Sequence, residues 1–514
     1  MTLSDHVAVS TRRQFLAAGS LGALALAGCG SSQSAGSSGG APKRGGTLHE
    51  VRYEATDGFK FDGQTTNASY QVSQAVMEPL LRANSDARAV DPGLAQSFRY
   101  DPKVPAYTLT LAPGARFSNG SPVTTKDVEF SVNLWKSGPN YGPIYKVIKS
   151  VEILDARSFR LHLTEPDTSL PAFLTWSAAG IVPANFGGRP ANEFWQSPIG
   201  AGPFTVSQWQ ASGTIVFKRN PHYYRQGRPY LDSIVNTLST EPNQRRLAFV
   251  SGQADLVDGV SPQDAPGFPS AKLIKSPAHF TDILMFNTKK RPFTEADARR
   301  AVAYAIDYAG ISSGVYHGLS EQPTGMLPPN VGLWAPPSKP YFRRDLTTAK
   351  QLAAKAALAG QSSQIIYPPE TIPNALAEIV QANMESIGMH VSLAPTETST
   401  FLGQLYSGKY ELAMWGFNAI SPDIADPVSF ITSTNFCFTG YPATQLLADL
   451  KAYQTTSDVA AKRAAVTRMQ NLGEEEAPLL ALDHWPVSTA VQPNTHGVMP
   501  APWGNYYYDT IWKT

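Results

Sequence analysis

Alternating apolar and polar residues mark strands at 104–111 (VPAYTLTL), at 158–163 (SFRLHL) and at 214–218 (TIVFK), and 47–53 reads as an opening strand. Between them, Thr124-Thr125-Lys126-Asp127 has the form of a capping box, and Val128, Val132 and Trp135 follow at helical spacing. A helix starting near 294 carries a stripe of Ala298, Ala301, Val302, Ala305, Ile306 and Ala309, narrow enough to pack closely on a sheet. Leu376, Ile379, Val380, Met384 and Ile387 repeat the pattern, and Gly388 is placed to end that helix as its C′ residue. A strand at 389–393, a helix around 401–406 and an apolar strand at 410–417 (YELAMWGF) follow. Helices and strands alternating through short loops imply a parallel α/β sheet covered on both faces. In such sheets ligands lie beyond the carboxyl ends of the strands, which puts whatever follows Trp415 in a cleft. Gly200-Ala201-Gly202-Pro203 reads as a turn before a strand at 204–209, and the Pro-rich stretch 325–340 as a long surface excursion.

The 514 residues suggest about three domain-sized units. Hydrophobic residues make up 42% and aromatic residues 10% of the chain, ample core material, so wholesale disorder is excluded. With 42 Lys+Arg against 41 Asp+Glu there is no excess charge to neutralise phosphates, which argues against a nucleic-acid binder. The 41 Pro and 40 Gly argue against long helical bundles.

The first 29 residues read as an address. Arg12-Arg13 precede an apolar run from Phe15 to Ala27, too short to span a bilayer and laid out as an export signal of the twin-arginine type. Leu26-Ala27-Gly28-Cys29 resembles a lipobox, in which Cys29 is lipidated and becomes the mature N-terminus. Residues 30–44 read as a flexible Gly/Ser tether. Cys437 is then the one thiol left, so no internal disulfide and no Cys-based zinc or iron–sulfur site can form.

The chemistry of catalysis is not visible. There is no G-x-x-x-x-G-K-[ST], H-E-x-x-H or G-x-G-x-x-G. Gly36-Ser37-Ser38-Gly39-Gly40 matches G-x-S-x-G by chance, inside the tether. Asp483 and His484 are neighbours in a strand and so point to opposite faces, Glu474-Glu475-Glu476 reads as the end of a helix, and Met77 and Met384 as core. The expectation is a protein that is not an enzyme, with no catalytic residues, no metal ligands and no cofactor.

Motifs in order along the chain carry a resemblance. They are Gly45-Gly46-Thr47-Leu48, Glu78-Pro79-Leu80, Leu94-Ala95-Gln96-Ser97-Phe98, Phe117-Ser118-Asn119-Gly120, Pro198-Ile199-Gly200-Ala201-Gly202-Pro203-Phe204 and Arg219-Asn220-Pro221-His222-Tyr223-Tyr224. Ser251-Gly252-Gln253-Ala254-Asp255 and the run from Arg300 to Asp307 complete the set. From about Gly45 onward the chain resembles the dipeptide/oligopeptide/nickel-type substrate-binding proteins of ABC importers, solute-binding family 5. The resemblance implies an α/β, two-lobed periplasmic-binding-protein fold (type II-like, cluster C) with an extra domain inserted in lobe one. Mapped here, lobe one is 45–79, 198–280 and 486–514, the extra domain 80–197, and lobe two 281–485.

Met414-Trp415-Gly416-Phe417-Asn418, with Asp423-Ile424-Ala425-Asp426-Pro427 after it, resembles the ligand-facing motif of the peptide-binding members. The resemblance implies that main-chain groups after Trp415 pair with an extended peptide and that Asp423 holds its amino terminus. Trp415, Gly416, Phe417, Asn418 and Asp423 are therefore the candidate ligand residues, with Asn287 as a further hydrogen-bond donor; Asp426 is read as structural. The implied partners are a peptide or other small solute, an ABC permease with separate ATPase subunits, and the membrane through Cys29. The implied protein is a monomer in the periplasm or on the outer face of the cytoplasmic membrane. The alternatives are a non-peptide solute (a nickel chelate, an opine, a glycoside), a surface receptor or chaperone that binds peptides without transport, and an exported hydrolase.

Overall fold

A computed structural model describes residues 41–514 except 62, 63, 65, 87, 139, 140, 270, 271, 370, 371, 420, 433–438, 500 and 502–505. The export signal, Cys29, nearly all of the tether and Cys437 lie outside the described residues.

Ten strands join in one mixed sheet across the body Pro42–Thr514. Their order is His390–Pro395, Ser362–Tyr367, Leu412–Asn418, Leu273–Phe286, Leu479–Val491, Leu256–Val260, Thr47–Arg52, Ser233–Leu238, Thr214–Arg219 and Phe204–Gln208. The two central strands, 14 and 13 residues long, are antiparallel and change neighbours along their length. Residues 280–286 pair with Leu412–Asn418 on one side, and 488–491 pair with Leu256–Val260 on the other. The sheet is thus two half-sheets, one per lobe, joined by two crossing strands. Their ladder slips register between Lys275 and His279, opposite Ser488 and Pro486. Pro277 and Pro486 have no N–H to donate there, so the ladder is interrupted at the crossing.

Four further strands, Ala95–Asp101, Ala106–Leu111, Ser158–Leu163 and Ile148–Ile153, form a separate antiparallel sheet. Helix Thr125–Ser137 packs there with Val128, Val132 and Trp135 buried. The Thr124 N–H donates to Asp127 Oδ2 at 2.7 Å, as the capping box requires. In the lobe containing residues 362–418, Ser362–Tyr367 runs parallel to both its neighbours, the arrangement expected from the alternating helices and strands. Gly388 follows helix Asn374–Glu385 with φ 94°, a left-handed conformation open to glycine.

Two expectations need correction. The small-residue stripe is not one helix: Ala296–Ala305 stops at Ile306, and Tyr308–Gly314 begins afresh. Asp307 makes the break, accepting the Gly310 N–H at 3.0 Å and giving its own N–H to Asn383 Oδ1. Nor is 325–340 a surface excursion throughout: 336 and 338–340 are exposed, but the first part is not. Met326, Leu327, Val331 and Ala335 are buried, because Gln470 Oε1 accepts the Leu327 N–H and the Trp334 indole N–H reaches the Leu327 carbonyl. Among the described residues no helix is long and apolar enough to cross a membrane.

Candidate ligand cleft

Leu412, Ala413 and Met414 are buried from solvent, which fixes the strand Leu412–Asn418 in the sheet. One edge is paired along its full length with residues 280–286. On the other edge, pairing with Ser362–Tyr367 ends at Ile365/Leu412 and Ile366/Ala413. Residues 414–418 therefore have no described strand on that side.

The side chains of this segment are held from behind. Trp415, half-buried, lies 5.7 Å from the Phe401 ring and 6.0 Å from Phe430. Phe417 is buried and stacked on Phe430 at 4.9 Å. A Cβ at Gly416 would overlap the Phe280 ring, which lies tilted 4.7 Å from Trp485, and would lie 3.0 Å from Asp282 Oδ1; only glycine leaves that space. Asn418 pairs with Phe280 through the backbone.

Asp423 follows in a turn that begins the helix Ala425–Thr432. Its Oδ1 accepts the Ala425 N–H at 2.8 Å and its Oδ2 accepts the Tyr453 hydroxyl at 3.0 Å. Burial pushes this carboxyl up, opposed by the Lys462 ammonium and these two bonds. Asp426 accepts the Ser421 N–H at 2.9 Å, a turn-closing bond. Gly332, from the loop 325–340, lies against the Pro422 and Asp423 backbone, so that loop walls the turn.

Segment 165–169, from the four-stranded part of the fold, meets the same turn. Asp167 Oδ1 accepts the N–H groups of Ser169 (2.8 Å) and Leu170 (3.2 Å). Burial pushes the Asp167 carboxyl up to about 6, against those two bonds and with the Asp423 charge adding to the rise. The Thr168 N–H donates to the Gln454 carbonyl at 2.8 Å, and the Thr168 hydroxyl reaches Gln454 O at 2.9 Å and Thr456 O at 3.0 Å. Lys451 and Glu165 form an ion pair beside them. No sequence signal joins Asp167, Ser169, Tyr453 and Lys462 to Asp423; the acid before the short helix Leu170–Phe173 signals only a local cap.

Asn287 stands apart. Its amide donates to the Gly408 and Tyr410 carbonyls at 3.0 and 2.9 Å, and its oxygen accepts the Lys289 N–H at 3.1 Å. It fastens the loop at the Leu412 end of the strand, on the order of 20 Å from Asn418 at about 3.3 Å per residue. The structure thus carries Trp415, Gly416, Phe417 and Asn418 on one strand, with Asp423 in the turn before the next helix, and holds Asn287 at the other end of that strand.

On the other lobe, Tyr53 and Glu54 lie just past the carboxyl end of Thr47–Arg52. Glu54 accepts the Ala68 N–H at 2.9 Å, and burial pushes its carboxyl up to about 7 despite that bond. Tyr141 is within electrostatic reach of Asp57 from this lobe and of Asp426 and Tyr406 from the other. Behind Gly416, on the two crossing strands, Asp282 and Asp483 stand in direct register, 0% and 1% exposed. Asp282 Oδ2 accepts the Trp485 indole N–H at 3.0 Å and the Tyr316 hydroxyl. Neither Asp483 oxygen has a hydrogen-bond partner among the described residues, and burial, with the facing Asp282 charge, pushes the Asp483 carboxyl up.

The profile of the family described as "Bacterial extracellular solute-binding proteins, family 5 Middle" matches residues 89–439. The probable D,D-dipeptide-binding periplasmic protein DdpA of Escherichia coli K12 is 25% identical over 383 residues, covering 72% of this chain and 73% of its own length. The oligopeptide-binding protein OppA of Bacillus subtilis is 24% identical over 486 residues, 85% of this chain and 87% of its own. Among solved structures, AgaA from Agrobacterium ("A.tumefacien R10") in complex with agropinic acid superposes with a TM-score of 0.80 at 24% identity, over 91% of this chain and 99% of its own. DppA from Helicobacter pylori with the peptide STSA gives 0.78 at 22%, over 92% and 98%. NikA from Brucella suis with Fe(III)-EDTA gives 0.81 at 21%, over 91% and 100%. The shared property of these structures is the two-lobed fold.

Proposed function

The chain belongs to the bacterial extracellular solute-binding proteins of family 5, and from that premise we propose that it captures short peptides in its interlobe cleft for an ABC importer. The observation that carries this reading is the open edge of residues 414–418, with the Asp423 turn just beyond its carboxyl end. An extended chain added to such an edge has its backbone satisfied whatever its side chains, which suits a receptor for varied peptides. Trp415, Gly416, Phe417 and Asn418 form the edge in this reading, and Asp423 receives the ligand's amino terminus. Asn287 supports the sheet and makes no ligand contact.

The partition into lobe one (45–79, 198–280, 486–514), extra domain (80–197) and lobe two (281–485) belongs to the same proposal. Its support is the separate four-stranded sheet and the change of neighbours along the two crossing strands. Ligand touching both lobes favours the closed state, and a membrane permease with separate ATPase subunits receives the load. Cys29 anchors a monomer outside the cytoplasmic membrane after twin-arginine export. Binding and release involve no turnover and no cofactor.

A second reading keeps the role and changes the ligand to a non-peptide solute. What favours it is that Asp423 already accepts two intramolecular hydrogen bonds. Thermal-shift assays against di- to pentapeptides, an opine and a nickel–histidine chelate separate the two. Stabilisation by peptides alone is expected; stabilisation by the opine or the chelate alone overturns the peptide reading.

A further inference from the structure

The segment 80–197 is joined to its two neighbours in different ways. Toward lobe one the joint is made by buried groups. Arg82 pairs with Asp509 Oδ1 at 3.0 Å, the Tyr507 hydroxyl donates to the Ala83 carbonyl at 3.0 Å, and the Ser118 N–H donates to the Gly200 carbonyl at 2.8 Å. Arg82 is 8% exposed and Asp509 0%, so parting them would strand a charge in a dry site, which is strongly disfavoured. The segment therefore travels with lobe one.

Toward lobe two the joint is small and only half-buried. The last carbonyls of a helix have no partner within it. At the end of helix Thr444–Thr455 the Gln454 carbonyl is met by Thr168, 286 residues away in the chain, through its N–H at 2.8 Å and its hydroxyl at 2.9 Å. The same hydroxyl lies 3.0 Å from the Thr456 carbonyl, just past the helix, so its one hydrogen is shared between the two carbonyls. Lys451 and Glu165 pair beside this contact with side chains 42% and 54% exposed, and an ion pair so open to water contributes little. Thr168 carries the joint.

No ligand atom takes part in these bonds. They form whenever the segment 80–197, carried by lobe one, meets lobe two, whatever lies in the cleft, and they break when the lobes part. A contact made in only one of two arrangements shifts the population toward that arrangement.

We propose that Thr168 is a ligand-independent latch: by capping a lobe-two helix from the inserted segment, it populates the closed arrangement of the ligand-free protein. This rests on the two-lobed partition above and is independent of the ligand's identity. A ligand that touches both lobes binds in proportion to the closed fraction, so the latch scales the affinity for every ligand alike and leaves the choice among ligands to the cleft.

The test is pulsed electron–electron distance measurement on the full chain with no ligand added. Spin labels are placed at Lys103→Cys in the inserted segment and Lys350→Cys in lobe two, both exposed, with Cys29→Ser and Cys437→Ser removing the native thiols. Closed and open distances are expected, and Thr168→Val should lower the closed-to-open ratio by about fivefold, the worth of one hydrogen bond. Valine keeps the shape of threonine, and the Asp167 bonds to the Ser169 and Leu170 N–H groups are untouched. Lys451→Ala should change the ratio by less than about twofold. A ratio within about twofold of wild type in Thr168→Val, or an equal shift in Lys451→Ala, overturns the latch while the two-lobed partition stands. A single distance, unchanged in wild type and both variants, overturns the moving-lobe reading and the latch with it.

Discussion

Replacing Asp483 with asparagine probes the buried pair that fastens the crossing strands. Asp282 and Asp483 face each other in register with almost no solvent contact. Burial pushes Asp282 up to about 6; it pushes Asp483 well above the usual carboxylate range, and the facing Asp282 charge raises it further. In the unfolded chain both ionise near pH ~4. At neutral pH folding therefore takes up about one proton at this pair, and a group whose folded pKa is raised loses stability as pH rises from the unfolded value toward the folded one. The slope is about 1.4 kcal/mol per pH unit, so between about pH 5 and about pH 7 the pair removes on the order of 2.7 kcal/mol. An asparagine amide donates to Asp282 without a titrating proton, so Asp483→Asn should flatten the profile by about that slope and gain on the wild type as pH rises. Urea unfolding followed by tryptophan fluorescence at several pH values gives both profiles. Parallel profiles would refute the shared proton, and a steeper one in the variant would reverse its sign.

Asp423→Asn should weaken peptide binding by about 1.5–3 kcal/mol, the worth of a hydrogen bond to a charged group; calorimetry showing unchanged affinity in a folded variant removes Asp423 from the site. Gly416→Ala drives a methyl into the Phe280 ring and should cost about 1–3 kcal/mol of stability as overpacking, visible as a lowered melting temperature; an unchanged one contradicts the packing behind the strand. Thr168→Val removes the hydroxyl bonds to Gln454 and Thr456 and should speed ligand release by roughly fivefold, for about 1 kcal/mol; an unaltered off-rate in stopped flow means this contact does not hold the cleft shut. Asp167, pushed up to about 6, disfavours its charged form in the fold, so its contribution to stability is present below about pH 4 and lost as pH rises through about 6. Asp167→Asn should therefore not lower the melting temperature near neutral pH; a clear drop there would make Asp167 a structural clamp.

Local rules made much of the fold legible. Ser158–Leu163 has the bounds its alternation predicts, the Asp127 cap forms, and Gly388 takes the left-handed conformation its place after a helix demands. The order of short motifs identified the family and so the two lobes. What stayed hidden depends on groups far apart in sequence. Nothing local distinguishes Asp307 as a cap inside a small-residue stripe until Asn383 is brought beside it. The loop 325–340 has the composition of a surface turn, and its first part is buried where Gln470, far off in sequence, accepts the Leu327 N–H. The ligand-facing strand was legible as a strand, but its open edge is set by where a different strand stops pairing. Asp167, Ser169 and Lys462 meet Asp423 only through tertiary structure.

Mass spectrometry of the small molecules released by denaturation from the purified protein identifies what the cleft holds. A peptide cleft should release short peptides of varied sequence with free amino termini. A single non-peptide solute would leave the fold and the capture role in place and contradict the peptide cleft.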